Sequence, residues 1–236
     1  MNEKVLVVKK LSKTYGTKQV VNQVDLSIEK GSFTAILGPN GAGKSTTIAM
    51  LSTLTQATSG DIYYDGLAIQ DHLRQVRPKI GIVFQNSVLD EALSVKDNLS
   101  IQAGLYKHIS QERIDEVIAL TSLTGILKQP VSQLSGGQKR RVDIAVSVLH
   151  QPEILFLDEP TTGLDIQTRL AIWKVLQNMQ KKEAMTIVLT THYLEETNVA
   201  DNVYIINGGE IIANGSAKEL IYRYTQEILT IESGDL

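Results

Sequence analysis

The segment Gly38-Pro39-Asn40-Gly41-Ala42-Gly43-Lys44-Ser45 constrains this chain more than any other. It fits the spacing G-x-x-x-x-G-K-[ST], in which backbone N–H groups surround a polyphosphate. A polyphosphate needs many donors at short range, and a backbone supplies them only where no side chain blocks the approach. Gly38, Gly41 and Gly43 allow that approach. Lys44 adds a point charge for the β- and γ-phosphates, and Ser45 offers a hydroxyl to Mg²⁺. The flanks agree. Phe33-Thr34-Ala35-Ile36-Leu37 reads as a buried strand entering the loop. Thr46-Thr47-Ile48-Ala49-Met50-Leu51 reads as a helix leaving it, with the positive end of its dipole toward the phosphates.

Further along, apolar strands alternate with helical patterns, which predicts an α/β fold with a mostly parallel sheet. The N-terminal part differs. Val5–Val8, Val20–Ile28 and Asp61–Tyr64 read as β-rich and predict a small antiparallel layer beside the main sheet. From about Val88 to about Leu127 helical signals dominate, and Ile114, Val117 and Ile118 form one apolar helical face. This predicts an inserted helical subdomain.

Composition narrows the function. At 236 residues the chain can bury a sizeable α/β core. A net charge of −3 argues against a nucleic acid as main partner, because phosphate backbones demand a basic face. There is no cysteine, hence no disulfide framework, and a reduced cytosol is the simplest home. No apolar run approaches the roughly 20 residues that span a bilayer, so a membrane would be served through a partner.

In open α/β sheets a ligand lies beyond the carboxyl ends of the strands. Three later strands end there in reactive side chains: Ile80–Phe84 at Gln85, Ile154–Leu157 at Asp158-Glu159, and Thr186–Thr191 at His192. A carboxylate can hold Mg²⁺ directly or through water, and a second one can orient or deprotonate an attacking water. Adjacent strand residues point to opposite sides, so Asp158 is assigned to Mg²⁺ and Glu159 to water.

Leu134-Ser135-Gly136-Gly137-Gln138 has the form of a capping box, with Ser135 at the N-cap and Gln138 at N3. The helix after it carries Val142, Ala145, Val146 and Leu149 on one face. On its own this is a well-capped helix. Two glycines in its first turn cost about 1 kcal/mol each relative to alanine, which makes sense if a ligand touches the backbone there. That would be a second anion site.

Taken in order, the phosphate-binding loop, Gln85, Leu-Ser-Gly-Gly-Gln, Ile-Leu-Phe-Leu-Asp-Glu-Pro and His192 resemble the nucleotide-binding domain of an ABC transporter over about residues 4–222. The resemblance implies a P-loop NTPase (RecA-like) core. It implies one ATP-binding domain over 1–236: a core of 1–85 and 151–222, a helical subdomain at about 86–150 carrying the signature, and a tail at about 223–236. It implies ATP held by Gly38, Pro39, Asn40, Gly41, Ala42, Gly43, Lys44, Ser45 and Thr46, with Tyr15 stacked on adenine. Mg²⁺ would be held by Ser45, Gln85 and Asp158, and the catalytic set would be Glu159, His192, Lys44 and Gln85. A head-to-tail dimer is implied, in which Ser135, Gly136, Gly137 and Gln138 face the ATP of the other subunit and Asp165 lies in a loop that crosses the dimer.

Gly81–Gln85 through Asp97–Leu99 and Thr191–Glu196 look most like the drug- and antibiotic-export subgroup, whose membrane subunit is a separate chain. The implied function is an ATPase motor at the cytoplasmic face of the membrane, powering export of a drug, antibiotic, peptide or lipid. The alternative is a soluble ABC-type ATPase of ribosomes or DNA; those usually carry two cassettes, zinc cysteines or a long coiled coil. Ala145-Val146-Ser147 departs from the usual Ala-Arg-Ala, with an effect expected on packing or dimer contacts. The lack of an importer-type regulatory domain after residue 222 favours export, and Glu227–Ile231 reads as one more strand. The apolar Val88, Leu89, Leu93 and Val95 look exposed and predict a groove for a helix of the membrane subunit, with Leu93 and Val95 equally suited to the core.

Overall fold

A computed structural model describes residues 3–224. The expected strand at Glu227–Ile231 lies outside the described residues.

The first half opens with β1 (Lys4–Tyr15), β2 (Lys18–Glu29) and β3 (Phe33–Leu37), then α1 (Lys44–Leu51). β4 (Ser59–Tyr64) and β5 (Leu67–Ala68) precede the short α2 (Leu73–Val76) and β6 (Ile80–Val83). Helices α3 (Val95–Gly104), α4 (Gln111–Leu120) and α5 (Gly136–Val148) follow. The second half alternates β7 (Ile154–Asp158), α6 (Ile166–Glu183) and β8 (Thr186–Thr191). It ends with β9 (Asn202–Asn207), β10 (Glu210–Gly215) and α7 (Ala217–Tyr224).

Two sheets form. An antiparallel one runs β2-β1-β4-β5, which is the N-terminal layer expected from the sequence. The other runs β10-β9-β3-β8-β7-β6, parallel except for the edge strand β10. Strands β3, β7 and β8 are buried along nearly their whole length because a parallel sheet is covered on both faces. Their alternate residues supply separate interiors. Ala35, Leu155 and Leu189 join helices α3 to α6 in one apolar core, whereas Ile36, Phe156 and Val188 join α1 and the antiparallel sheet in another.

The helical segment does not carry a core of its own. Val95, Leu99, Val117 and Leu123 pack into the cluster that covers the parallel sheet. Helix α5 is enclosed on more than the expected face: Val142, Ala145, Val146 and Leu149 are buried, and so are Ile144, Val148, Arg140, Asp143 and Ser147. The departure at Ala145-Val146-Ser147 is therefore interior packing. Gly81 of β6 sits so close beneath it that a Cβ there would lie 2.6 Å from the Ser147 carbonyl oxygen.

Strand β1 runs to Tyr15, well past the expected Val8. The polar stretch Lys9–Thr14 stays in the sheet through register shifts on both sides. Lys10 and Gln23 take positive φ of 48° and 46° there, and the Lys10 N–H bonds Asp25 Oδ1 at 3.0 Å.

Replacing Gly81 with alanine should push this tight β6–α5 contact apart. We expect a loss of about 1–3 kcal/mol, the cost of overpacking a filled core. Urea denaturation should show a lower midpoint at unchanged slope.

Candidate active site

The phosphate-binding loop joins β3 to α1 at the carboxyl edge of the parallel sheet, where β3 is flanked by β8 and β9. Its glycines answer to different demands. A Cβ on Gly38 would lie 2.3 Å from the Ile206 carbonyl of β9, and one on Gly43 would lie 2.7 Å from the Val20 carbonyl of β2. Gly43 also holds φ of 103°, which disfavours any side chain.

Helix α1 starts at Gly43 with no side-chain cap. Helices α3, α4, α5 and α6 are capped by Ser94, Ser110, Ser135 and Asp165. An eight-residue helix that begins uncapped presents its first N–H donors, and the positive end of its dipole, to an anion.

A cleft of about 440 Å³ opens over this turn, lined by Asn40, Gly41, Gly43, Lys44, Ser45, Thr46, Gln85, Glu159 and His192, together with Val20 and Thr162. The three expected strand ends and the loop thus converge. Lys44 is buried, and its Nζ lies 2.9 Å from the Gly38 oxygen, 3.0 Å from the Pro39 oxygen and 3.0 Å from Glu159 Oε1. Thr162 Oγ1 donates to Glu159 Oε2 at 3.1 Å, and His192 Nδ1 lies 3.3 Å from the same oxygen. Burial works against charge on Glu159, yet the Lys44 ammonium, helped by Thr162 and His192, holds its carboxyl below the usual range.

Asp158 faces the other way. Its Oδ1 accepts from Ser45 Oγ at 3.0 Å and from Thr190 Oγ1 at 2.6 Å. The two acids are separated as expected, but strand alternation is not the cause. Glu159 has left the strand with φ of 43°, and its N–H bonds Thr190 Oγ1 at 3.0 Å. Such a conformation is costly for a residue with a side chain and is common where geometry serves a site.

Other expected residues lie apart from the cleft. Tyr15 ends β1 with its ring half exposed, and Lys13 Nζ sits 4.9 Å from its centroid. Ser135 and Gln138 form the full capping box of α5, with Ser135 Oγ accepting the Gln138 N–H at 3.3 Å and the Ser135 N–H bonding Gln138 Oε1 at 2.9 Å. The Ser135 hydroxyl proton stays available to a ligand. Gly136 is exposed, but Gly137 is buried, and a Cβ there would meet Thr168 Cγ2 of α6 at 2.1 Å. Helix packing thus explains Gly137 without any ligand. Asp165 caps α6 through the Thr168 N–H and hydroxyl, and these bonds hold its carboxyl below the usual range.

Several residues outside any motif also build the site. Thr190 orients both acids, and the Thr-Thr-His ending of β8 was its only signal. Glu196 is buried and accepts hydroxyls from Thr161 and, at 2.5 Å, Thr191. It ties the loop after Glu159 to the strand end before His192, a link that only tertiary contact shows.

Fold and cleft together define a nucleotide hydrolase of the P-loop class. The family model described as ABC transporter matches residues 21–162. The chain is 37% identical over 225 residues to the daunorubicin resistance ATP-binding protein DrrA3 of Streptomyces coeruleorubidus, covering 93% of this chain and 71% of that protein. Among solved structures it resembles cbiO1 of Clostridium perfringens at TM-score 0.85 and 31% identity, covering 94% and 92% of the two chains. It also resembles the dimeric ATP-binding cassette MJ0796 in a post-hydrolysis state with ADP and Pi, at TM-score 0.80 and 29% identity over 90% and 98%. The chain belongs to the ABC transporter family, as one of its ATP-binding, ATP-hydrolysing subunits.

Changing Glu159 to glutamine should retain ATP binding and slow hydrolysis by about 10²–10⁴-fold, because the amide cannot accept a proton from water. Phosphate release at saturating ATP measures this. Near-normal turnover would remove Glu159 from that role.

Proposed function

We propose that this ATPase powers export through a separate membrane subunit, at the cytoplasmic face of the membrane. The observation that carries the chemistry is the convergence of Lys44, Ser45, Gln85, Glu159 and His192 on one cleft at an uncapped helix start. Export is supported by relatives such as DrrA3, named for daunorubicin resistance. Among the described residues no helix is long and apolar enough to cross a membrane, which suits a subunit that acts through a partner. We take the chain as one ATP-binding domain over 1–236, with the divisions stated above.

In this reading the polyphosphate binds across the first N–H groups of α1. Lys44 leaves Glu159 and the Gly38 and Pro39 carbonyls and turns to the β- and γ-phosphates. Glu159, released from its ammonium partner, becomes a stronger base and takes the proton of the attacking water. His192 steadies that carboxylate and the γ-phosphate. Ser45, Asp158 and Gln85 present hard oxygen donors at the place where phosphate oxygens would join them, a set that fits Mg²⁺. The ion would neutralise charge that develops on the phosphates. Tyr15 takes the adenine face.

The same reading makes the active unit a head-to-tail dimer, in which Ser135, Gly136, Gly137 and Gln138 meet the partner's γ-phosphate and Asp165 approaches the partner's loop. ATP-binding cassettes of this family do dimerise. A mixture tests the composite site. Lys44→Ala and Ser135→Arg should each be inactive alone, and their mixture should regain part of the activity, since each mixed dimer holds one intact site. No rescue, with activity strictly proportional to protein concentration, would mean a monomeric enzyme.

Of the two residues equally suited to the core, Val95 is fully buried and Leu93 half-buried; Leu89, expected to be exposed, is half-buried and packs on the helical core. Val88 is 68% exposed, and Phe84, Ile101 and Leu105 are exposed as well. We propose that a helix of the membrane subunit docks over Val88, Ile101 and Leu105. Val88→Asp should leave folding and basal ATPase intact and abolish co-purification with the membrane subunit. Normal co-purification would place the docking surface elsewhere.

A further inference from the structure

Arg140 lies on α5, five residues after Ser135, and is 9% exposed. Its Nη1 donates to the Phe84 carbonyl at 2.6 Å and its Nη2 to the Gln85 carbonyl at 2.7 Å. Asp143 Oδ2 is 3.8 Å away, and Asp143 Oδ1 accepts from Ser87 Oγ at 2.7 Å. Lys139, the preceding residue, pairs with Glu91. Lys139, Arg140 and Asp143 of one helix thus strap down the chain from Phe84 to Glu91, and the Arg140 fork holds it at its start, on Gln85 and the residue before it.

A buried guanidinium is an expensive way to fill space. Its charge loses hydration, and a carboxylate at 3.8 Å gives only partial return. An apolar side chain would pack α5 against β6 at less cost. What the guanidinium adds is a planar fork whose two prongs fix the direction as well as the distance of the backbone they hold. The backbone it holds carries Gln85, which lines the nucleotide cleft. The helix that holds it starts about one turn away, at Ser135 and Gly136. That first turn is stiffened by its capping box and by the mesh of Gly137 with Thr168.

We infer that Arg140 is a positioning residue that couples the two ATP sites of the dimer, by tying the Gln85 loop of a subunit's own site to the signature turn it lends to its partner. This rests on the composite-site reading above. When the γ-phosphate draws Gln85 inward, the fork carries the shift into the start of α5 and sets Ser135 for the nucleotide across the interface. ATP at one site then favours capture of ATP at the other.

The experiment uses the full chain carrying Glu159→Gln, so that ATP is bound but turned over slowly. ATP affinity is measured at protein concentrations low enough to keep it monomeric, and ATP-driven dimerisation by sedimentation. Arg140→Lys keeps the charge and loses the two-pronged geometry. It should leave monomer affinity within about twofold and weaken dimerisation by about tenfold or more, the effect of one lost charge-assisted bond. Combined with Gln85→Ala it should cost little beyond the larger single change, because both cut the same link. Losses that add independently, or dimerisation unchanged by Arg140→Lys, would overturn the inference and leave Arg140 a packing residue. If Arg140→Lys does not fold, Ser87→Ala loosens the same strap at Asp143 and must weaken dimerisation in the same direction. If the parent Glu159→Gln protein itself fails to dimerise with ATP, the composite-site reading falls, and the inference with it.

Discussion

Asp158 lies opposite Thr190 in the parallel sheet, and Leu37 lies opposite Thr191. Everything in the cleft follows from that register. It brings the Thr190 hydroxyl between the Asp158 carboxylate and the Glu159 N–H, sets His192 one step beyond the strand end, and brings the Gly38 N–H to the Thr191 carbonyl at 3.2 Å. A slip of one residue would turn each of these side chains to the opposite face. The register is held by the apolar residues of β3, β7 and β8, whose alternate positions belong to different cores and cannot be exchanged. The fold's stability and the site's geometry are therefore one constraint.

What could be read from sequence was what is local. The strands Phe33–Leu37 and Thr186–Thr191 appear where expected, because each carries a short apolar stretch of the kind a sheet covered on both faces requires, Ile187–Leu189 in the second. The Ser135–Gln138 cap appears as expected, since a capping box involves only four neighbouring residues. The polar half of β1 was not legible, as it is held by bulges and by Asp25 across the hairpin rather than by its own pattern. Strand β9 carries the apolar run Val203–Ile206 before a Gly208-Gly209 turn, a local signal, but its place beside β3 and the phosphate-binding loop is set only by tertiary pairing.

The site's chemistry was legible by residue type and hidden in its pairings. Motif spacing points to Lys44 and Glu159 separately. Nothing in the spacing says that they form an ion pair, that Thr162 and Glu196 brace the loop between them and His192, or that Gly137 is small because Thr168 occupies its space. Arg140 illustrates the same limit. It reads as one more charge on a helix, and only its burial beneath the Phe84 and Gln85 carbonyls ties it to the loop that lines the cleft.

The Lys44–Glu159 pair has one more consequence. In the proposed mechanism the Glu159 carboxylate, 3.0 Å from the Lys44 ammonium, competes with phosphate for it. Nucleotide affinity is then a net quantity: the attraction of Lys44 for phosphate less its attraction for Glu159. With Glu159 as the proposed base, the group that drives hydrolysis would also weaken the grip on substrate, and strength of binding and speed of turnover would be opposed through a single side chain.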